Sequence, residues 1–262
     1  MANNPIRIAR RGPVATITID RPEVMNAFNA AAIAGLRSAF ADLAADSSVR
    51  LAVLTGAGKA FCAGGDMNWM RETFAWSKEE NLADAEAMAA MFDEAWRFPK
   101  PLIARVNGPA VGGGAGLVAC CDLAIATETA RFGFGEVKIG IIPAVIAQYV
   151  VPKIGVSHAR ALFVSGEQFS AERAFEIGLI HAVTAAEELD EAVASILGRL
   201  LTSAPEAVAA TKRSIDIIWE AERSAARQFV IEAIATIRTG SEAQEGMRAF
   251  LEKRRPRWSI FE

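Results

Sequence analysis

Two glycine-rich stretches constrain this chain more than any other feature. The first, Phe61-Cys62-Ala63-Gly64-Gly65-Asp66, comes after the apolar run Val49–Thr55 and the turn Gly56-Ala57-Gly58. The second, Asn107-Gly108-Pro109-Ala110-Val111-Gly112-Gly113-Gly114-Ala115-Gly116, follows directly on Leu102–Val106. Both apolar runs have the length and β-branched content of short buried strands. Glycines grouped beyond a strand point to backbone that takes unusual dihedrals or closely approaches another group. The second stretch leads into a helix, whose first turn leaves N–H groups unpaired and carries partial positive charge. Two such loops can present two N–H donors to one developing oxyanion. Either loop taken singly is also explained as a tight turn with close helix packing.

The rest of the chain alternates strands with helices, which indicates an α/β core. Ile6 to Asp20 reads as two strands around a Gly12-Pro13 turn, with Val14, Thr16 and Thr18 alternating against Ala15, Ile17 and Ile19. Helical periodicity covers Asn29 to Ala45, with Asn29 as cap, and Lys78 to Phe98, with Ser77 as cap and Pro99 and Pro101 beyond its end. Leu117 to Cys121 reads as a helix and Leu123 to Ala126 as a strand. From about Pro205 helical patterning takes over. Val208, Thr211, Ile215, Ile218 and Trp219 form one apolar stripe, which Phe229, Ile231, Ile234 and Ile237 continue. The expected division is residues 1–200 and a helical region, 201–262. That stripe either packs on its own core or meets another subunit.

Composition removes several classes of function. The 262 residues carry a net charge of −3, with acidic and basic residues interspersed, so no nucleic-acid partner is expected. Cys62, Cys120 and Cys121 have neither a disulfide framework nor metal-ligand spacing, and the two histidines, His158 and His181, are read as structural. The stretch Met1 to Gly12 lacks the apolar segment of a signal peptide. Ile139 to Val151, the most apolar stretch, is broken by Pro143 and Gln148 and is too short to span a membrane. No membrane association and a cytoplasmic location are expected.

Two nucleotide motifs come close and fail. Gly114-Ala115-Gly116-Leu117-Val118-Ala119 fits a dinucleotide fingerprint in form, but Asn107 to Gly113 separate it from its strand. Gly56-Ala57-Gly58-Lys59-Ala60 lacks the earlier glycine and the hydroxyl of a phosphate loop. Glu136 stands out differently. It follows Phe132-Gly133-Phe134-Gly135 and precedes an aliphatic run, where desolvation raises a carboxyl pKa toward the range of an acid/base. A surface pairing with Lys138 or Arg131 is the plainer alternative.

In this order and spacing the elements resemble the enoyl-CoA hydratase/isomerase (crotonase) superfamily. The resemblance runs from Asp20-Arg21-Pro22 and Asn26-Ala27-Phe28 to Glu245-Gly246-Met247-Arg248-Ala249-Phe250-Leu251-Glu252-Lys253-Arg254. Asp66-Met67-Asn68-Trp69-Met70, Val118-Ala119-Cys120-Cys121-Asp122 and Glu136-Val137-Lys138-Ile139-Gly140 look most like bacterial methylglutaconyl-CoA hydratases. The resemblance implies a crotonase-type β-β-α spiral core carrying an acyl-CoA site, with a helical C-terminal trimerisation subdomain. It implies an acyl-CoA thioester substrate and a homotrimer or dimer of trimers. Coenzyme A belongs to the substrate, and no cofactor or metal is implied.

Carried over by position, the backbone N–H groups of Gly65 and Gly113 form the family's oxyanion hole, and Glu136 is a catalytic acid/base. Arg21, Met25, Ala63, Gly65, Asp66 and Gly113 border the substrate, with Phe250 and Lys253 toward its adenine end. One departure matters: well-known hydratases have a second glutamate where this chain has Gly116. The implied activity is hydration of a 2-enoyl-CoA, with 3-methylglutaconyl-CoA or a related branched acyl-CoA as substrate. The alternatives are a Δ3-Δ2-enoyl-CoA isomerase using Glu136 alone, or a catalytically silent CoA-thioester binder.

Overall fold

Alternation of buried and half-buried residues sets the first hairpin. In a computed structural model that describes residues 4–259, β1 (Ile6–Arg11) pairs antiparallel with β2 (Val14–Ile19). Ala15, Ile17 and Ile19 are fully buried, as the period of two requires. The first three residues of the stretch read for a signal segment lie outside the described residues. α1 (Ala30–Ala45) starts at Asn29, whose side chain accepts from the Ala32 N–H, and buries Leu36, Phe40 and Leu43. β3 (Leu51–Gly56) is buried along its whole length, as a strand covered on both faces must be.

α2 (Met67–Thr73) and α3 (Lys78–Trp96) follow. Ser77 and Glu80 close a reciprocal capping box at the start of α3. Next come β4 (Leu102–Val106), β5 (Ala110–Val111), α4 (Gly113–Cys120), β6 (Leu123–Thr127) and β7 (Arg131–Gly133). α5 (Ala144–Ser165), β8 (Gln168–Ser170), α6 (Ala171–Glu176) and β9 (Ala182–Thr184) complete the mixed region. The larger sheet has the order β1-β2-β3-β4-β6-β9 and is parallel from β2 onward. The smaller has the order β5-β7-β8.

The order explains the winding. β4 lies in the large sheet, β5 in the small one, and α4 returns the chain; β6, β7 and α5 repeat the step. A parallel bridge from Cys62 to Ala110 adds the preceding turn to the smaller layer. The result is the β-β-α spiral that the resemblance implied.

Helix α4 begins four residues before the expected start at Leu117. Four of its residues from Gly113 to Gly116 are Gly or Ala, and glycine's poor helix propensity hides the first turn from pattern reading. Burial overrides propensity there: a Cβ on Gly114 would lie 2.1 Å from the Cys62 carbonyl oxygen. The chain divides into two compact units. One runs to Phe98 and resumes over Leu102–Val193; the other joins Pro99–Pro101 to the chain from Ala194 onward. α7 (Leu189–Leu201) spans the division, and α8 (Pro205–Glu220), α9 (Arg223–Thr239) and α10 (Ser241–Leu251) form the second unit. Within it, the Glu242 carboxylate of α10 accepts from the Glu206 and Ala207 N–H groups that open α8.

Candidate active site

The first glycine loop is held by strand-like pairing to a distant segment. The Phe28 N–H donates to the Gly64 carbonyl (2.6 Å), and the Asp66 N–H donates to the Phe28 carbonyl (2.8 Å). These bonds form a parallel bridge centred on Gly65, so its own N–H faces the other way. That N–H has no hydrogen-bond partner among the described residues. On its other flank the loop joins the second one: the Cys62 N–H donates to the Pro109 carbonyl, and the Val111 N–H to the Cys62 carbonyl (3.0 Å).

The second loop turns at Gly112, whose φ of +53° needs glycine, while its N–H is fixed to the Gly133 carbonyl (2.8 Å). α4 then opens at Gly113, whose N–H is the first unpaired donor of that helix and has no partner among the described residues. The two loops abut: a Cβ on Gly64 would lie 3.7 Å from the Gly113 nitrogen. Two unpaired backbone donors therefore sit on touching loops.

Glu136 lies on a 3-10 turn, Gly135–Ile139, beyond β7. A Cβ on Gly112 would come within 3.0 Å of its Oε1, so the carboxylate rests against the second loop. Its Oε2 is buried and has no hydrogen-bond partner among the described residues. Burial pushes the Glu136 pKa up, while its own backbone N–H pulls the other way. Phe134 anchors the turn from below through an edge contact with Phe163 (4.8 Å) and a tilted one with Phe169.

Position 116 is filled by its neighbours. A Cβ on Gly116 would lie 2.3 Å from Ile146 Cγ2 and 3.1 Å from Phe92 Cε1. No acidic side chain fits without moving Ile146. Pattern reading missed both occluding residues: Phe92 looks like any apolar position of α3, and Ile146 like any of α5.

The structure brings Arg21, Met25, Ala63, Gly65, Asp66, Gly113 and Glu136 into the first unit. The Arg21 Nη2 pairs with Asp66 Oδ2 at 2.7 Å. The Ala63 N–H donates to the Met25 carbonyl (3.0 Å), and Met25 has φ +50° and an exposed side chain. Phe250, exposed, and Lys253, with φ +53°, lie in the second unit at the end of α10. Asp122 accepts from the Leu102 N–H (2.7 Å) at the start of β4. Tyr149 is buried against Phe92 and Trp96 and is a core residue. The Cys62 thiol is fully buried, and burial pushes its pKa up to about 12, which makes it a poor nucleophile.

Paired unpartnered N–H groups and a half-buried carboxyl on adjoining loops of a β-β-α spiral form an arrangement that can stabilise an oxyanion and move a proton. The chain belongs to the enoyl-CoA hydratase/isomerase family, matched over residues 9–260. It is 33% identical to the crotonyl-CoA hydratase of Syntrophomonas wolfei, covering 97% of this chain and 98% of the relative. It is 32% identical to the 2,3-dehydroadipyl-CoA hydratase of Escherichia coli, covering 95% and 96%. The crystal structure of an enoyl-CoA hydratase from Shewanella pealeana matches with a TM-score of 0.93 at 36% identity, covering 97% and 96%. Among the described residues no helix is long and apolar enough to cross a membrane.

Proposed function

We propose that this protein is an enoyl-CoA hydratase whose oxyanion hole is the Gly65 and Gly113 N–H pair and whose acid/base is Glu136. The observation that carries the reading is the Glu136 Oε2, buried without a partner beside the loop that opens at Gly113. A buried carboxyl oxygen without a protein partner calls for one from elsewhere, and in this reading water or substrate supplies it. In the proposed reaction water attacks C3 of the enoyl thioester, and ionised Glu136 takes its proton. The C2–C3 π electrons move toward the thioester carbonyl, whose oxyanion the two N–H groups stabilise. The enolate then collapses, and C2 takes the proton back from Glu136. The steps conserve protons and call on no cofactor beyond the CoA that the substrate carries.

Ala63 and Asp66 lie on the first loop and border the thioester path in this reading, and Met25 meets the pantetheine; the adenine role of Phe250 and Lys253 rests on the resemblance alone. The acyl group we favour is branched and dicarboxylic, 3-methylglutaconyl. A relative named for 2,3-dehydroadipyl-CoA, itself dicarboxylic, supports it. A homotrimer or dimer of trimers is proposed on the exposed apolar surface of α8 to α10, where Ile215, Trp219, Ile234 and Phe250 face outward. Free buried cysteines suit the cytoplasm.

Isomerisation remains a second reading because Gly116 leaves a single carboxyl, which suffices to move a proton between C2 and C4. The test is wild type and Glu136→Gln with 3-methylglutaconyl-CoA and crotonyl-CoA, following the conjugated enone absorbance. Its loss with wild type alone supports hydration through Glu136. No loss with either, and turnover of a 3-enoyl-CoA, replaces hydratase by isomerase. Full activity of Glu136→Gln removes Glu136 from the mechanism.

A further inference from the structure

Arg21 and Asp66 form a nearly buried ion pair at the first loop, with side chains 15% and 5% exposed. We infer that the pair positions Gly65, holding its N–H toward the oxyanion, and that Arg21 does not bind a CoA phosphate. The inference rests on the reading of Gly65 as an oxyanion donor.

The arrangement has the form of a clamp. Arg21 Nη2 donates to Asp66 Oδ2, while Nη1 donates to the Ala27 carbonyl. Ala27 adjoins Phe28, whose N–H and carbonyl flank Gly65 through Gly64 and Asp66. One guanidinium thus ties both sides of the bridge. Asp66 is also held at its N–H by Phe28, at Oδ1 by the Asn68 N–H (2.8 Å) and at its carbonyl by the Met70 N–H (2.9 Å), so the residue after Gly65 is fixed at four atoms.

The Arg21 side of the clamp is equally rigid. Its N–H donates to Asn26 Oδ1, and the buried Asn26 amide donates to the carbonyls of Ala57 and Ala60. A guanidinium engaged at both terminal nitrogens, paired with a carboxylate and only 15% exposed, has little of its charge left for a phosphate. A displacement near 1 Å at a reacting group can lower turnover on the order of 10²-fold.

Crotonyl-CoA and crotonyl-pantetheine, which lacks the nucleotide and its phosphates, separate the two roles. Arg21→Lys keeps the charge but cannot reach both acceptors; Asp66→Asn keeps a helix cap but removes the ion pair. Each is expected to lower kcat about 10- to 10²-fold by the same factor on both substrates, leaving inhibition by free CoA unchanged. The double variant should be no worse than the poorer single one. Amide hydrogen exchange of the Cys62–Asp66 segment should quicken in both single variants. A defect in Arg21→Lys confined to crotonyl-CoA, with weakened CoA inhibition, makes Arg21 a phosphate ligand and overturns the inference. Unchanged exchange with unchanged kcat also overturns it. Should wild type turn over neither thioester, the hydratase reading fails by itself, and exchange alone decides the clamp.

Discussion

The Gly113 donor can be deleted with little disturbance to the helix, because it stands at the first helical position. Proline is favoured at that position: the missing N–H has no intrahelical acceptor, and φ near −65° suits the first turn. Gly113→Pro therefore removes the proposed oxyanion donor and little else from the backbone. A side chain does bring strain, since a Cβ there would lie 2.8 Å from Phe28 Cε2 and 3.1 Å from Cδ2. The ring must shift, at roughly 1–3 kcal/mol of stability. Gly113→Ala carries the same Cβ and keeps the N–H, so the comparison of the two isolates the donor. One oxyanion donor is worth about 10²–10³ in kcat, or about 2.7–4 kcal/mol of transition-state stabilisation. The assay is crotonyl-CoA hydration at saturating substrate, with the folded fraction of each variant set by circular dichroism. Gly113→Pro should fall about 10²–10³ below Gly113→Ala. Equal kcat for the two variants would refute the assignment of Gly113 as a donor.

Glu136→Gln should lower kcat on the order of 10²–10⁴-fold. Wild-type activity should rise with pH on a limb centred above the ordinary carboxylate range, because burial raises this pKa and the ionised form accepts the proton from water. The linkage has a definite sign: a carboxyl raised on folding lowers stability as pH climbs through the window between its unfolded and folded values. Glu136→Gln should therefore raise the Tm at pH 8 and lose that advantage below the ordinary carboxylate range; a lower Tm at pH 8 contradicts the desolvation account. Gly116→Glu should destabilise by roughly 1–3 kcal/mol in denaturant titration without gain in activity, and adding Ile146→Ala should recover stability. If the single variant is as stable as wild type, Ile146 does not block the site. Cys62 should resist iodoacetamide at pH 8 in the native protein, since its thiol is pushed up to about 12; labelling within minutes, read by mass spectrometry, contradicts its burial.

How much could be read beforehand depended on what each element uses as its signal. β2 shows its buried face through strict alternation, and α1 and α3 carry side-chain caps at Asn29 and Ser77, so all three are legible. α2 is only seven residues long and announces itself by little more than the Asp66 cap. β5, β7 and β8 have two or three residues each, too few for a period to emerge. Glu136 stands out in sequence by its aromatic and aliphatic neighbours, yet Ile139, Ile141 and Ile142 are exposed and its carboxyl rests against the second loop at Gly112. The Gly65 donor is reached only through the resemblance, because what frees it is pairing with Phe28, a long-range contact that no local pattern encodes.

The same geometry explains how this scaffold serves relatives named for different acyl groups. Both donors belong to the backbone, and the second loop and the first turn of α4 are closely packed. Gly113 meets the Phe28 ring, Gly114 the Cys62 carbonyl, and Gly116 Ile146. In the proposed site such constraints hold the thioester end still and leave the acyl end to be shaped by side chains. Position 116 shows the trade. Filling that space with Ile146 gives a tighter packing of α4 on α5 and leaves Glu136 as the carboxyl beside the second loop. Its two oxygens differ, one against Gly112 and one without a partner. A single base so placed can take a proton from water and return it to C2 only if both reacting centres lie on its own side of the enoyl plane. Hydration through Glu136 alone is therefore syn, and the loss of the second carboxyl constrains the stereochemistry while leaving the oxyanion chemistry untouched.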